Sequence, residues 1–544
     1  MRRPSGSLPA RSVVSIMLLM RSLRNLPRLI ARVITGIHRR DRLFFFAVAA
    51  IGLVLVSLQW AGGAWKAEFD GHPDEPAHFV TGRMIWEYLS ALPRENPISW
   101  AGQFYLHYPK VGLGHWPPGY YLAEALWSLM FGSSRISAMG LQWFIGLAAL
   151  TGLYTLVRSR LPLFVTAGII LFVIATPVFQ QGLEQTMSDL CCLLCSVVFM
   201  HAALRLLERP GRIAVCLVLV ALFAAAITKG TAACLVPVPL VALLANGQRL
   251  RVRSPWPAAA ALAVMAMCLA WYLSTGDVLY WAGVSASIPW PVEKLGELAG
   301  WGFVALAALG LGREPLPILA GSIALCAVLV SFGARAMSEP RHWIIVLPAI
   351  FVLAGYAVTR LRRPVSALLL APAVALFPWL WYHQTPSGYR DLVRQLHLPA
   401  RMMVSAARGA GGEGAWIAEV SIAERYPASL VARASNVLAT SGWNGEHYKL
   451  QVQTPGEVAR RLDELAIDVV VLDGPLAPEP PHHLLLGLAV TGSSAWSRCG
   501  SAQHLIAYCR AAPPAFPRKP LVLDAGGWHF EERVGAAGLA ETLP

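Results

Sequence analysis

Long apolar stretches recur along this chain, and no other feature narrows its folding choices as sharply. Apolar runs of roughly 17–25 residues can cross a hydrocarbon core of about 30 Å as helices. Here they are joined by short basic or Gly/Pro-containing links. They lack a clean period of two, so they read as helices and not as barrel strands. Hydrophobic residues make up 56% of the 544 positions and charged residues only 14%. A soluble domain would carry roughly 25% charge. The expected spans are 43–61, 137–157, 162–181, 189–207, 212–228, 231–246, 256–274, 297–312, 315–332, 343–361 and 364–382, about eleven crossings.

The net charge of +14 is informative through its placement. Residues 1–42 hold ten arginines. Arg158 and Arg160, Arg205 with Arg209 and Arg212, Arg249 with Arg251 and Arg253, Arg313, and Arg360 with Arg362 and Arg363 recur in alternate links. Links rich in Arg and Lys stay on the cytoplasmic side. The basic balance therefore reports orientation in a bilayer, and no nucleic-acid partner is expected. The leader 1–42 lacks a signal-peptide cleavage pattern. It reads as a basic cytoplasmic segment, either amphipathic on an anionic lipid face or disordered.

An odd number of crossings puts the tail outside, in the periplasm of a Gram-negative cell, with the protein in the inner membrane. The expected organisation is a basic segment 1–42, a transmembrane domain 43–382 and a periplasmic domain 383–544. The first outer loop, 62–136, should hold helices over Pro76–Leu92 and Pro118–Phe131, lying at the headgroup level with Trp86, Trp100, Trp116 and Trp127. A second outer loop, 275–296, carries Tyr280, Trp281 and Trp290. In the tail, Ala415–Val420, Val437–Thr440, Ile467–Leu472 and His504–Tyr508 look β-like, Glu457–Leu465 looks helical, and Gly409–Gly414 reads as a linker or turn. The fold class is thus an α-helical polytopic membrane protein with a small C-terminal α/β domain. Seven of the nine cysteines fall in apolar spans and read as packing residues. Cys499 and Cys509 lie in the tail and can pair if that compartment is oxidising.

Ionisable residues cluster in the links expected on the outer face. Asp74-Glu75 opens the first loop, where Asp74 suits a helix cap followed by Pro76 in the first turn. Lys110, His115 and the run Trp116-Pro117-Pro118-Gly119-Tyr120-Tyr121 follow. Asp189 starts the span 189–207, Lys229 stands between two short apolar segments, and Arg341-His342 precedes the span 343–361. Each has a bland reading as cap, anchor or surface turn. Together they place acids and cations at one membrane edge, which suits chemistry on a lipid-linked substrate. A transporter would put such groups near the midplane.

This order of motifs resembles the aminoarabinose-transferase and protein-mannosyltransferase-like families of the C-type (GT-C) glycosyltransferases, which use polyprenyl-phosphate sugars. The likeness runs through Asp74-Glu75, the Pro-Pro-x-Tyr-Tyr element, Asp189, Thr228-Lys229-Gly230 and Pro340-Arg341-His342, over residues 40–380. It implies an enzyme that moves a sugar from a polyprenyl-phosphate carrier to an envelope glycan, lipid or protein acceptor. Asp74, Glu75 and Asp189 would be the catalytic acids. Lys229, Arg341, His342, His115 and Lys110 would face the donor phosphate. A divalent metal at Asp74 with His78 or His115 is also open, since His78 falls on the same helix face four residues on, beside the commoner reading of a satisfied surface histidine. In one respect the chain departs from the aminoarabinose type: His115-Trp116 stands where Glu-Lys is expected, so the phosphate-binding lysine there is missing. Burial is expected to raise the carboxylate pKa and strengthen it as a base. The competing expectations are a transporter or flippase of lipid-linked saccharides, and a non-catalytic assembly or sensor protein.

Overall fold

Runs of Leu, Val, Ala and Phe with no backbone partner outside themselves close their hydrogen bonds internally, and the outcome is a mostly helical protein. The structure is a computed structural model. It describes residues 39–532 apart from 94, 248–265, 267–290, 333–338, 380–381, 408–409, 441–446, 475–479, 513, 515–516 and 526–527. Nearly all of the expected span 256–274 and most of the loop 275–296 lie outside the described residues. The chain forms two compact units, 1–54 and 55–544. The first contributes most of the helix Arg39–Ala61, whose Phe45, Phe46 and Leu53 are exposed as lipid contact requires.

Among the described residues, four helices are long and apolar enough to cross a membrane: Arg42–Ala61, Arg135–Arg158, Asp189–Glu208 and Pro340–Arg360. Leu163–Ala175 and Pro177–Glu184 make a fifth if counted as one span, bent by 64°. Pro177 causes that bend, because it lacks an amide proton to continue the upstream ladder. Other expected spans appear as shorter helices, Arg212–Thr228, Val238–Ala245, Trp301–Leu309, Pro315–Ser331 and Arg363–Ala375.

The first loop forms the two expected helices, Glu75–Ala91 and Gly119–Phe131, and one unexpected, Pro97–His107, capped by Asn96 accepting from the Ser99 amide. Gly119–Phe131 buries Tyr120, Tyr121 and Glu124 and exposes Leu122, Leu126, Leu129, Met130 and Phe131. An apolar exposed face over a polar buried one is the pattern of a helix against lipid. Trp100 departs from the headgroup expectation. It is 1% exposed and joins Phe79, Phe104 and Tyr108 in one core with Met402, Trp416 and Val470 of the tail. The loop supplies apolar side chains that the tail needs to complete its own core, so Trp100 is drawn inward.

That tail carries a five-stranded sheet in the order β2-β1-β5-β7-β6. Its strands are β1 (Arg401–Ala406), β2 (Leu430–Arg433), β5 (Val469–Asp473), β6 (Trp496–Ala502) and β7 (Leu505–Arg510), with β3 (Ala439–Thr440) and β4 (Lys449–Leu450) paired apart. β2, β1 and β5 are parallel; β7 and β6 add antiparallel. A disulfide joins Cys499 to Cys509 across that last pair. The expected strand at Ala415–Val420 is instead the middle of the helix Ala410–Ala423. It is buried on every side, so its sequence shows no helical period. Of the expected linker, Gly411, Gly412 and Gly414 lie inside this helix. Gly414 lies so close to Pro76 and Lys110 that a Cβ there would overlap both.

Candidate functional site

Helix starts position the principal side chains. Asp74 is the N-cap of Glu75–Ala91, yet its side chain makes no cap bond. Its Oδ2 accepts instead from Arg341 Nη2 at 2.8 Å. Arg341 follows Pro340 in a short 3-10 helix, Pro340–Val346, that leads into Leu347–Arg360. Its Nε donates to Glu339 Oε2 at 2.6 Å. His342 Nδ1 accepts from the Glu339 amide and closes a capping box. Arg341 is therefore held in a fixed pose between two carboxylates.

A second pair lies beside the first. Asp189 heads the helix Asp189–Glu208, and its Oδ1 lies 2.5 Å from Lys229 Nζ. Lys229 stands at the break between Arg212–Thr228 and the 3-10 turn Gly230–Leu235. Arg341 interacts electrostatically with Asp189 as well as Asp74, and His342 senses all four charges. Five residues expected at the site, Asp74, Asp189, Lys229, Arg341 and His342, are thus gathered from four separate segments.

Charge pairing decides the protonation of Asp74. Burial favours its neutral form, but the contacting Arg341 outweighs that and holds the carboxyl well below its usual range. The sequence-based expectation of a raised carboxylate is corrected here: a guanidinium in contact outweighs the cost of burying the charge. His72 also accepts from the Asp74 amide through Nδ1 at 3.1 Å.

His78 lies one turn beyond Asp74 and is buried. Its Nδ1 shares a hydrogen bond with the Tyr121 hydroxyl at 2.7 Å, and its ring stacks on Trp116 with centroids 4.3 Å apart. Burial pushes its pKa down to about 3, leaving it neutral. His115 packs edge-on to Trp116, with centroids 4.9 Å apart. The metal expectation at Asp74 and His78 fits this arrangement poorly. Asp74 already carries Arg341, and no group of three His, Cys, Asp or Glu side chains suited to a metal occurs among the described residues.

Glu75 and Lys110 belong to other neighbourhoods. Glu75 is fully buried, pairs with Arg135 and accepts from the Thr186 amide at 2.9 Å. Burial raises its pKa against the pull of Arg135. Arg135 also donates to the carbonyls of Ala64 and Glu184. This network ties the loop to the 184–186 link. Lys110 is buried under the Ala410–Ala423 helix, and desolvation, then the charge of Arg433, lowers its pKa to about 7.

Sequence reasoning left His72, Glu339, Tyr121 and Arg135 without roles. Arg135 had a usable signal: an arginine at the outer start of a span runs against the positive-inside pattern, so it needs a buried partner.

The profile of the dolichyl-phosphate-mannose-protein mannosyltransferase family matches residues 115–273. No curated protein matches the chain. Among solved structures it is similar to ArnT from Cupriavidus metallidurans in the apo state, at 12% identity and a TM-score of 0.58, over 87% of this chain and 99% of that one. ArnT bound to undecaprenyl phosphate gives 14% identity and a TM-score of 0.55 over 87% and 99%. The Archaeoglobus fulgidus oligosaccharyltransferase in the apo form gives 11% and 0.50 over 82% and 71%. At such identities the likeness is one of fold, and that fold is the GT-C glycosyltransferase type that the motifs resemble.

Proposed function

We propose that this chain is a membrane glycosyltransferase that takes a sugar from a polyprenyl-phosphate carrier and passes it to an acceptor at the outer face of the membrane. One observation carries the reading: Asp74–Arg341 and Asp189–Lys229 form two adjoining acid–cation pairs at the same end of the helical bundle. A matched cluster of this kind suits a phosphate leaving group better than it suits a neutral sugar. The ArnT structure that holds undecaprenyl phosphate supports a polyprenyl carrier. The Cys499–Cys509 disulfide supports a tail outside the cytosol. With about eleven crossings the paired residues and the tail share that side.

In the proposed reaction an acceptor hydroxyl or amine attacks the anomeric carbon, and the bond from that carbon to the phosphate oxygen breaks. The polyprenyl phosphate departs with the bonding electrons. Arg341 offers a planar fork to the phosphate, and Lys229 a point charge. Both stabilise the charge that develops as the phosphate leaves. Asp74 takes the acceptor's proton. Its proton affinity is low while Arg341 is bound to it. When the donor phosphate draws Arg341 away, the buried carboxylate loses its counter-ion and becomes a stronger base. Donor binding would thereby switch on the base.

Purified protein in liposomes with a polyprenyl-phosphate sugar and an envelope extract as acceptor tests this. Release of polyprenyl phosphate coupled to acceptor labelling is the expected outcome. Movement of the intact lipid-linked sugar across the bilayer, with no covalent product, would favour the flippase reading and end this one.

A further inference from the structure

At the opposite end of the same helices lies a second polar feature that the transfer reaction does not use. A cavity of about 220 Å³ is bounded by Thr155, Arg160, His201, Arg205, Glu208 and Arg209, over a floor of Leu156 and Leu204. Arg205 lies sixteen positions after Asp189, about 24 Å along the helix at 1.5 Å per residue. That is most of a hydrocarbon core of about 30 Å, so the cavity opens at the other membrane face, that of the arginine-rich links.

We propose that this cavity binds the phosphate headgroup of an anionic glycerophospholipid. Three arginines face one acid there. Arg160 is fixed in place: it donates to the Leu156 carbonyl at 3.1 Å, to Ser159 Oγ at 2.9 Å and to Glu208 Oε1 at 2.5 Å. Arg205 lies in the last turn of Asp189–Glu208 and Arg209 is its C-cap, and neither side chain pairs with an acid among the described residues. His201 Nε2 donates to the Gly152 carbonyl at 2.9 Å, as does Thr155 Oγ1 at 2.8 Å, which fixes the wall. A phosphodiester entering the cavity would meet two uncommitted guanidiniums and compete with Glu208 for the third. The leucine floor and the exposed Phe164 and Ile213 at the starts of the adjoining helices suit acyl chains. No Phe, Tyr or Trp lines the cavity, and the one ring there, His201, is tied to the Gly152 carbonyl. Basic pockets between membrane helices on the cytoplasmic side are a recurrent headgroup site. The proposal uses the membrane reading but not the transfer chemistry, so a failed transfer assay leaves it standing.

Native mass spectrometry of the full chain in neutral detergent, titrated with phosphatidylglycerol or with phosphatidylcholine of the same acyl chains, tests it. The wild type should retain phosphatidylglycerol selectively. The double variant R205Q/R209Q should weaken retention roughly thirtyfold, or about 2 kcal/mol. Thr155→Phe keeps every charge but fills the cavity, and it should also abolish selective retention. Inorganic phosphate at millimolar concentration should not displace the lipid. Equal retention of the two lipids, full retention by Thr155→Phe, or displacement by inorganic phosphate alone would overturn the assignment.

Discussion

Arg341 Nη2 lies 2.8 Å from Asp74 Oδ2, across 267 positions of sequence, and this contact sets the chemistry of both residues. It keeps Asp74 from capping its own helix and holds it ionised, and it gives Arg341 a fixed place from which to meet an anion. Removing either partner should therefore change function more than fold.

Asp74→Asn is expected to lower transfer by about 10²–10⁴-fold, the usual range for a lost general base. Arg341 keeps Glu339 as a partner in this variant, so the melting temperature in detergent should change little. Transfer at the wild-type rate would remove Asp74 from the mechanism.

Arg341→Lys retains the charge but loses the fork. Its expected signature is a donor KM raised roughly 10- to 150-fold with acceptor KM unchanged, as for one lost charge-assisted hydrogen bond of about 1.5–3 kcal/mol. An effect on acceptor KM alone would place Arg341 on the wrong substrate.

Glu75→Gln should act on stability. It breaks a buried ion pair with Arg135, a loss of about 3–5 kcal/mol when one partner is left charged. Thermal unfolding should shift down, while the folded fraction keeps its donor KM. A stable variant with no activity would return Glu75 to the catalytic group.

Lys110 makes a pH-dependent contribution whose sign follows from its depressed pKa. The folded chain releases this proton near pH 7, whereas the unfolded chain holds it to about 10.5. Between those values the unfolded state binds more protons, so stability rises with pH, by up to about 1.4 kcal/mol per pH unit. Below pH 7 the full cost of burying the charged lysine is present. Lys110→Met should stabilise the protein at pH 6 and flatten melting temperature against pH over that window. An unchanged profile would show that Lys110 does not titrate there.

Cys499 and Cys509 should resist alkylation in cells until a reductant is added. Replacing both with alanine is expected to cost about 2–3 kcal/mol in the tail, as for closing a short loop. Free thiols in freshly lysed cells would argue against a tail in an oxidising compartment.

Much of this arrangement was legible in the residues. The apolar runs marked the helices, Pro76 and Pro118 marked the two loop helices, and the motifs at Asp74, Asp189, Lys229 and Arg341 marked the cluster. What failed did so where two segments met. Ala415–Val420 passed for a strand because a helix buried on all sides has no polar face to reveal its period. Trp100 passed for an interfacial ring because nothing in the loop's sequence announces that the tail needs it for a core.

Alone, the sequence determined which segments favour lipid, which links carry positive charge, and which residue types stand at the helix ends. These are local properties, fixed by transfer free energy and by the geometry of one chain segment. Only the tertiary structure decided that Arg341 would answer Asp74 and Arg135 would answer Glu75. An ion pair between distant segments depends on distances that no single segment contains.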